Sequence, residues 1–211
     1  PSRTPHILMD PASRQGTLLT LLRVPSGGTL PPPQLEAVAR AAAAGRLVVF
    51  PTDTVYGVGT NSLLPGACER IYSAKGRDPA KPLPILVHST EEARRWVVLT
   101  PAAERLAGAF WPGALTLVLR PTQAGRRLLQ NGVETLAIRV PAHALARAII
   151  AASAVPWAST SANASGEPAA KDGAQAAAAL GRAVEWGVDA GSGPGGVESS
   201  VVDALGPGLK V

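Results

Sequence analysis

A short apolar run that stops at a proline constrains the fold of this chain more than any other feature. Leu47–Phe50 is continuously apolar, which is typical of a strand that is buried on both faces of a sheet. Pro51 ends the run, because proline has no N–H group to donate to a neighbouring strand. The polar residues 52–54 follow, and they indicate either a binding site at the strand's exit or an ordinary polar turn. Gly57 and Gly59 come next, at places where a backbone can turn sharply or approach a ligand.

Helix-forming segments and apolar runs alternate along the chain. Residues 34–44 are strong helix formers, and Gly45 follows where the end of a helix is expected. Residues 135–140 alternate between apolar and other side chains, as a strand with one buried face does. This alternation predicts an α/β fold, in which a mostly parallel or mixed sheet carries helices on its faces.

Only one stretch could separate parts of the chain, the proline- and glycine-rich residues 25–33. The 211 residues suffice for a single domain that buries most of its apolar surface. We therefore predict one domain over residues 34–211, preceded by an N-terminal extension of uncertain structure over residues 1–33.

Cysteine and histidine are scarce in the sequence. The single cysteine, Cys68, excludes an internal disulfide, and three scattered histidines exclude a zinc site of cysteine and histidine ligands. We predict no metal ligands among the side chains, and a reducing, cytoplasmic location. No apolar run is long enough to span a bilayer and the first ten residues contain no apolar signal core, so no membrane partner is expected.

The chain carries a formal net charge of +5. Excess positive charge favours anionic partners such as nucleic acid, nucleotide or phosphate, although arginines on solvated faces are also common. Lys75, Arg77 and Lys81 form the tightest basic group, and Pro79 and Pro82 stiffen the loop that contains them. Lysine and arginine suit phosphate oxygens. The alternative is a solvated basic turn at the C-terminal end of a helix.

Two small polar segments follow predicted strands. Residues 159–163 offer hydroxyls, an amide and backbone N–H groups but no base, and a polar turn that caps a helix is the alternative. They do not form a G-x-S-x-G nucleophile elbow, so a hydrolase nucleophile is not expected. Residues 191–196 match G-x-G-x-x-G, but a predicted strand follows where the dinucleotide fingerprint needs a helix. We predict a loop that leads into residues 198–200.

Arg139 shares one face of the predicted strand with Thr135, while the other face is wholly apolar. A buried arginine needs an anionic partner, because burying its charge unpaired is costly. The partner could be a ligand or a carboxylate of the protein itself. His88 ends an apolar run and is the best placed of the three histidines for a role in binding, although a lone histidine is more often structural.

Six segments between residues 45 and 203 resemble, in their order and spacing, those of a known family. They are PTDTVYGVG, KGR, His88, AIRVP, STSANASG and GGVESSVVD. Together they resemble the YrdC-like threonylcarbamoyl-AMP synthases, whose lysine-x-arginine and serine-x-asparagine pairs are matched by Lys75 with Arg77 and by Ser161 with Asn163. The resemblance implies the short, single-domain form of the family, with a twisted mixed sheet, flanked by helices, around a concave and positively charged site.

The resemblance also implies an L-threonylcarbamoyladenylate synthase, which is a nucleotidyltransferase. Such an enzyme makes threonylcarbamoyl-AMP and pyrophosphate from L-threonine, bicarbonate or CO₂, and ATP with Mg²⁺. The product serves the t6A modification of tRNA, so a downstream t6A transferase complex is an implied partner and tRNA is met only indirectly or weakly. Such a reaction needs orientation and charge stabilisation, which suits a sequence rich in cations and hydroxyls but without a recognisable nucleophile and base.

Roles for individual residues follow from the same resemblance. The residues that would hold threonine and its carbamate are Thr54, His88, Arg139, Ser161 and Ser199. The residues that would hold the nucleotide are Arg77, Lys81, Thr135 and Asn163. Lys75 and Arg77 would be the catalytic pair that offsets the charge on the departing pyrophosphate.

Two other functions stay open at this point. An RNA-binding module of the same fold, without synthase activity, would grip an RNA backbone, and its affinity would fall steeply with salt. A carbamoyl-transfer relative would keep the fold and act on another substrate. Such relatives often lack the serine-x-asparagine pair, which this chain contains.

Overall fold

The computed structural model describes residues 19–25, 27–193 and 196–206. In these residues nine strands form one sheet, and the helices interleave with them along the chain, so the predicted α/β fold is confirmed. The strands are β1 Thr20–Arg23, β2 Leu47–Phe50, β3 Gly57–Asn61, β4 Ile85–Leu86, β5 Leu115–Leu119, β6 Leu136–Arg139, β7 Trp157–Ser161, β8 Val184–Asp189 and β9 Ser200–Asp203. The α-helices are α1 Pro32–Ala43, α2 Ala67–Lys75, α3 Thr90–Trp96, α4 Pro101–Phe110, α5 Ala144–Ser153 and α6 Gly173–Leu180. Two short 3-10 helices are Gly125–Leu128 and Gly181–Ala183.

The sheet is mixed, with the strand order β1-β8-β2-β3-β7-β4-β6-β5-β9. Parallel pairs join β1 to β8, β8 to β2, β4 to β6, and β5 to β9, and the other neighbours are antiparallel. The sheet therefore has two ends that matter for the site. At the end that we call the first edge, β2, β7 and β8 finish while β4 and β6 begin. At the opposite end, the second edge, β4 and β6 finish while β9 begins.

Helices cover both faces of the sheet. On one face, α1 and α5 pack against Phe50 and Trp157, whose rings meet edge to face with their centroids 5.2 Å apart. On the other face, α2, α3, α4 and α6 pack in a larger cluster that includes Val49 and Ile71. Full burial of a large apolar side chain stabilises a fold by about 1.5–3 kcal/mol. Among the described residues, no helix combines the length and the apolar character that crossing a bilayer would need.

Gly57 and Gly59 lie in a strand, which corrects their interpretation as turn residues. A Cβ atom at position 59 would be 2.8 Å from the ring of Trp157, and one at position 57 would be 3.0 Å from the ring of Phe50. The two glycines therefore make room for the aromatic rings that pack against β3. The chain bends before them, at residues 53–55.

β1 lies inside the segment that the sequence assigned to an N-terminal extension. It pairs in parallel with β8, and its residues Leu21 and Leu22 are buried. Residues 20–23 thus belong to the same sheet as the domain predicted over residues 34–211. Residues 1–18 lie outside the described part of the chain.

Candidate functional site

Arg139, the last residue of β6, lies in a polar cluster with the turn that follows β2. Its side chain is 7% exposed. The guanidinium donates to Thr54 Oγ1 at 3.1 Å and to Asp53 Oδ1 at 2.7 Å. Its Nε donates to the carbonyl oxygen of Gly113 at 2.9 Å. The sequence left a ligand and a protein carboxylate open as the anionic partner, and the structure shows the carboxylate of Asp53.

Thr52 builds the turn that presents Asp53 and Thr54. Its hydroxyl donates to the Val55 carbonyl oxygen at 2.6 Å and accepts the N–H groups of Thr54 and Val55 at 3.1 and 3.2 Å. A threonine hydroxyl that bonds backbone groups two and three residues further on stabilises a tight turn. The turn therefore fixes both side chains that contact Arg139.

The guanidinium of Arg139 keeps its positive charge in this cluster. Burial lowers the pKa of the Arg139 guanidinium, and the Asp53 carboxylate opposes that shift. An arginine side chain stays protonated in proteins and has five N–H groups. Three of the five have acceptors in the described residues. Asp53 also accepts the Ala142 N–H at 3.0 Å, which ties the turn to the segment after β6.

Lys75, the last residue of α2, holds the segment that follows β7. Its ammonium group donates to the carbonyl oxygens of Ser161 and Asn163 at 2.5 Å each, and to Asn163 Oδ1 at 3.1 Å. An ammonium group has three N–H donors, so this segment occupies all of them. The Asn163 side chain in turn donates to the Glu167 carbonyl oxygen at 2.5 Å. The two signature pairs of the sequence are therefore in direct contact, through Lys75.

The environment of Lys75 predicts a pH dependence of stability. Burial is the main cause that lowers the pKa of Lys75 from 10.5 to about 8, and the charge of Arg77 adds to it. Between these two values the unfolded chain binds more protons than the folded protein, so stability should rise with pH. We expect the free energy of unfolding of the wild type to gain on the order of 2 kcal/mol over that of Lys75→Met across this window. Urea titrations at several pH values would measure the difference, and a difference that stays constant with pH would contradict it.

The predicted site residues divide between the two edges of the sheet. Those at the first edge are Arg77 and Lys81 before β4, Thr135 before β6, and Ser161 and Asn163 at and after the end of β7. Those at the second edge are His88 after β4, Arg139 at the end of β6, and Ser199 before β9. Thr54 follows β2, which finishes at the first edge, but its side chain contacts Arg139, so the turn after β2 reaches a residue of the second edge. All four predicted nucleotide residues therefore share the first edge.

At the second edge, Ser199 and Arg139 contact the same segment, residues 113–116. Arg139 Nε binds the carbonyl oxygen of Gly113, while Ser199 Oγ lies 2.9 Å from Thr116 Oγ1. His88 is half-buried and follows β4, whose last residue pairs in register with Arg139. The structure thus places three of the five residues predicted to hold threonine at the same edge of the sheet.

At the first edge, the residues share a location without direct hydrogen bonds between their side chains. Arg77 is half-buried, and it donates to the carbonyl oxygens of Lys81 at 3.2 Å and Pro82 at 3.4 Å. The Lys81 side chain is exposed, and Thr135 is half-buried one residue before β6. In the part of the chain that the structure describes, no hydrogen bond joins these three side chains to Asn163.

Tyr56 is a residue of the site that sequence reasoning missed. Its hydroxyl donates to the Gly191 carbonyl oxygen at 2.6 Å and accepts the Ala190 N–H at 3.0 Å. Burial raises the pKa of Tyr56 to about 12, so the hydroxyl keeps its proton. It anchors the start of the glycine-rich loop at the first edge. Residues 194–195 of that loop lie outside the described residues. The tyrosine inside PTDTVYGVG was the available signal, since a buried tyrosine hydroxyl needs a partner.

Known proteins are similar to this chain in both sequence and fold. The Sua5/YciO/YrdC family model, described as telomere recombination, matches residues 40–211. Threonylcarbamoyl-AMP synthases from Pyrococcus abyssi and Bacillus subtilis are 42% and 40% identical, over 75% and 81% of this chain. The solved structure of P. abyssi Sua5 complexed with L-threonine has a TM-score of 0.82 and 37% identity over 90% of this chain. Escherichia coli YciO has a TM-score of 0.81, and at 23% identity it supports the fold alone.

The match covers most of this chain but only about half of the two synthases. The matched residues make up 47% of the P. abyssi protein and 50% of the B. subtilis protein, so the chain spans about half the length of these relatives. They cover 55% of the P. abyssi Sua5 chain in the threonine complex and 94% of the YciO chain. Since the family model covers most of the sequence, and relatives and solved structures agree with it, the chain belongs to the Sua5/YciO/YrdC family.

Proposed function

We propose that this chain is an L-threonylcarbamoyladenylate synthase, a nucleotidyltransferase that acts on L-threonine, bicarbonate or CO₂, and ATP. The observation that carries the proposal is the hydrogen bond between Thr54 and Arg139, because it brings the turn after β2, which ends at the first edge, to Arg139 at the second edge. Relatives named threonylcarbamoyl-AMP synthase support it, as does the similarity to a Sua5 complexed with L-threonine. The same relatives favour this function over an RNA-binding module.

The threonine substrate would bind mainly at the second edge. Two N–H groups of Arg139 have no acceptor among the described residues and would bind the carboxylate, while Asp53 holds the guanidinium in place. A carboxylate bound by two parallel N–H groups gains both charge and geometric specificity. His88 and Ser199 would bind the same substrate from β4 and β9, while Thr54 and Ser161 would contact its carbamate from the first edge.

The nucleotide would bind at the first edge. The residues proposed to contact it are Arg77, Lys81, Thr135 and Asn163. Lys75 fixes the position of Asn163 through two hydrogen bonds and that of Ser161 through a third, and its positive charge lies beside this segment. Mg²⁺ is expected as part of the MgATP substrate, where phosphate oxygens and water are its usual ligands.

The proposed reaction needs binding, orientation and charge stabilisation from the protein. The amine of threonine adds to CO₂ and loses a proton, which gives a carbamate. A carbamate oxygen then attacks the α-phosphorus of ATP, and the bond to pyrophosphate breaks. Holding the two substrates side by side makes the attack effectively unimolecular. Lys75 and Arg77 would stabilise the charge that develops on pyrophosphate. The enzyme would act in the cytoplasm and supply a t6A transferase complex, so its contact with tRNA would be indirect.

Pyrophosphate release tests this function directly. With MgATP and bicarbonate, we expect release to rise at least about tenfold when L-threonine is added, because the carbamate is the attacking group. A coupled phosphate assay would measure it, with L-alanine in place of L-threonine as the control. Release that does not depend on threonine would contradict the proposal. Salt-sensitive RNA binding without any release would instead favour the RNA-binding module.

A further inference from the structure

A second polar cluster joins α2 to the turn before β6. The hydroxyl oxygen of Tyr72 lies 3.1 Å from Gln130 Oε1 and 3.2 Å from the Lys81 carbonyl oxygen, and it accepts an N–H of the Asn131 side chain at 3.1 Å. Tyr72 is 7% exposed, and burial raises the pKa of its hydroxyl, which therefore keeps its proton. These contacts connect parts of the chain that are far apart in sequence.

The same side chains hold the backbone of the cationic loop, residues 76–82, and of Leu83 after it. Gln130 Oε1 accepts the Leu83 N–H at 3.0 Å, and Gln130 Nε2 donates to the Leu83 carbonyl oxygen at 3.3 Å. Asn131 donates to the Pro79 carbonyl oxygen. Pro79 and Pro82 have no N–H groups to donate. Within the loop, the Lys81 N–H donates to the Asp78 carbonyl oxygen at 3.1 Å and the Ala80 N–H donates to Asp78 Oδ1 at 2.9 Å. These bonds lie within the loop, whereas the contacts of Gln130 and Asn131 hold the loop and Leu83 against the turn before β6.

The turn that carries Gln130 and Asn131 is itself well defined. Asn131 and Gly132 have φ values of 52° and 77°, and the Val133 N–H donates to the Gln130 carbonyl oxygen at 3.1 Å. An Asn-Gly pair suits a tight turn whose two central residues are left-handed. Thr135 follows two residues after Val133. The turn thus holds the cationic loop on one side and leads into a proposed nucleotide residue on the other.

We propose that Tyr72, Gln130 and Asn131 form a positioning strap, which sets the affinity for ATP by fixing the cationic loop next to Thr135. The inference rests on the proposed synthase function, in which the cations of this loop meet the phosphates of ATP. The strap residues act through the backbone of the loop and do not themselves touch the nucleotide. Threonine binding at the second edge should not depend on them.

Replacing Gln130 with alanine tests the strap. We expect the KM for ATP to rise about tenfold, while the KM for L-threonine changes less than about twofold. Asn131→Asp keeps a residue that tolerates the left-handed turn but removes both side-chain N–H donors, so it should act in the same direction. Without ligands, amide exchange of Lys81 and Leu83 should be faster in Gln130→Ala, because the Leu83 N–H loses its acceptor.

Gln123→Ala is the matched control, because Gln123 is exposed and belongs to the same connection between β5 and β6. It should leave both KM values and the exchange rates unchanged. If Gln130→Ala does not fold, Tyr72→Phe takes its place in the test, because this substitution removes only a hydroxyl group. Where the wild type shows threonine-dependent release, an unchanged KM for ATP would overturn the strap. Where the wild type shows no release, the synthase proposal fails. The strap is then tested by the dissociation constant for ATP, and equal values for the wild type and Gln130→Ala would overturn it.

Discussion

Replacing Arg139 with alanine is expected to lower threonine-dependent pyrophosphate release roughly 100-fold. The substitution removes the proposed partner of the substrate carboxylate, together with the hydrogen bonds to Thr54 and Gly113. It also leaves the Asp53 carboxylate without its cation. Since removing one member of a buried ion pair costs about 3–5 kcal/mol and the Asp53 side chain is still 18% exposed, we expect a loss of about 3 kcal/mol in the free energy of unfolding.

Initial rates at varied L-threonine and urea unfolding would measure these two effects separately. Arg139→Lys keeps the charge but not the planar fork, so it should retain more stability than Arg139→Ala and still lose most of the activity. Arg40→Ala is the matched control, because Arg40 forms an exposed ion pair with Glu36 in α1. Such a pair contributes only about 0.3–0.5 kcal/mol. Wild-type threonine dependence in Arg139→Ala would refute the proposed role.

Local patterns in the sequence were sufficient to predict much of the fold. The helix predicted over residues 34–44 is α1, the apolar run Leu47–Phe50 is β2, and the alternating residues 135–140 contain β6. β2 is buried on both faces, while α1 and β6 each bury a regular face, so all three leave a clear apolar pattern in the sequence. β3 was missed because its glycines lack the side chains that give such a period. Their role depends on two rings, one of them about a hundred positions away in the chain.

The partners within the site were harder to predict than its members. The sequence showed that Arg139 needs an anion, but the contact with Asp53 depends on how the turn after β2 folds over the sheet. The division between two edges depends on the antiparallel pairing of β4 with β7, which has no local signature. Hydrogen bonds such as that between Tyr72 and Gln130 leave no periodic trace either. The Asn131-Gly132 pair was the available signal for that turn.

Replacing Lys75 with alanine is expected to slow ATP turnover roughly 100-fold at saturating L-threonine, with the fold intact. The substitution leaves the Ser161 and Asn163 carbonyl oxygens and Asn163 Oδ1 without their donor. It also removes a positive charge from the edge where pyrophosphate would depart. Arg77→Ala should have an effect of similar size through the lost charge alone, because among the described residues the half-buried Arg77 donates only to carbonyl oxygens of its own loop.

The two variants differ in what they should do to the structure. Circular dichroism and urea unfolding should show Arg77→Ala close to the wild type, whereas Lys75→Ala loosens the segment after β7. Lys75→Arg should restore little of the ATP turnover, since a planar guanidinium cannot replace three N–H groups that converge on one short segment. Lys171→Ala is the matched control, because its side chain is exposed. Near-normal pyrophosphate release by Lys75→Ala or by Arg77→Ala would exclude that residue from the charge stabilisation on which the proposed mechanism depends.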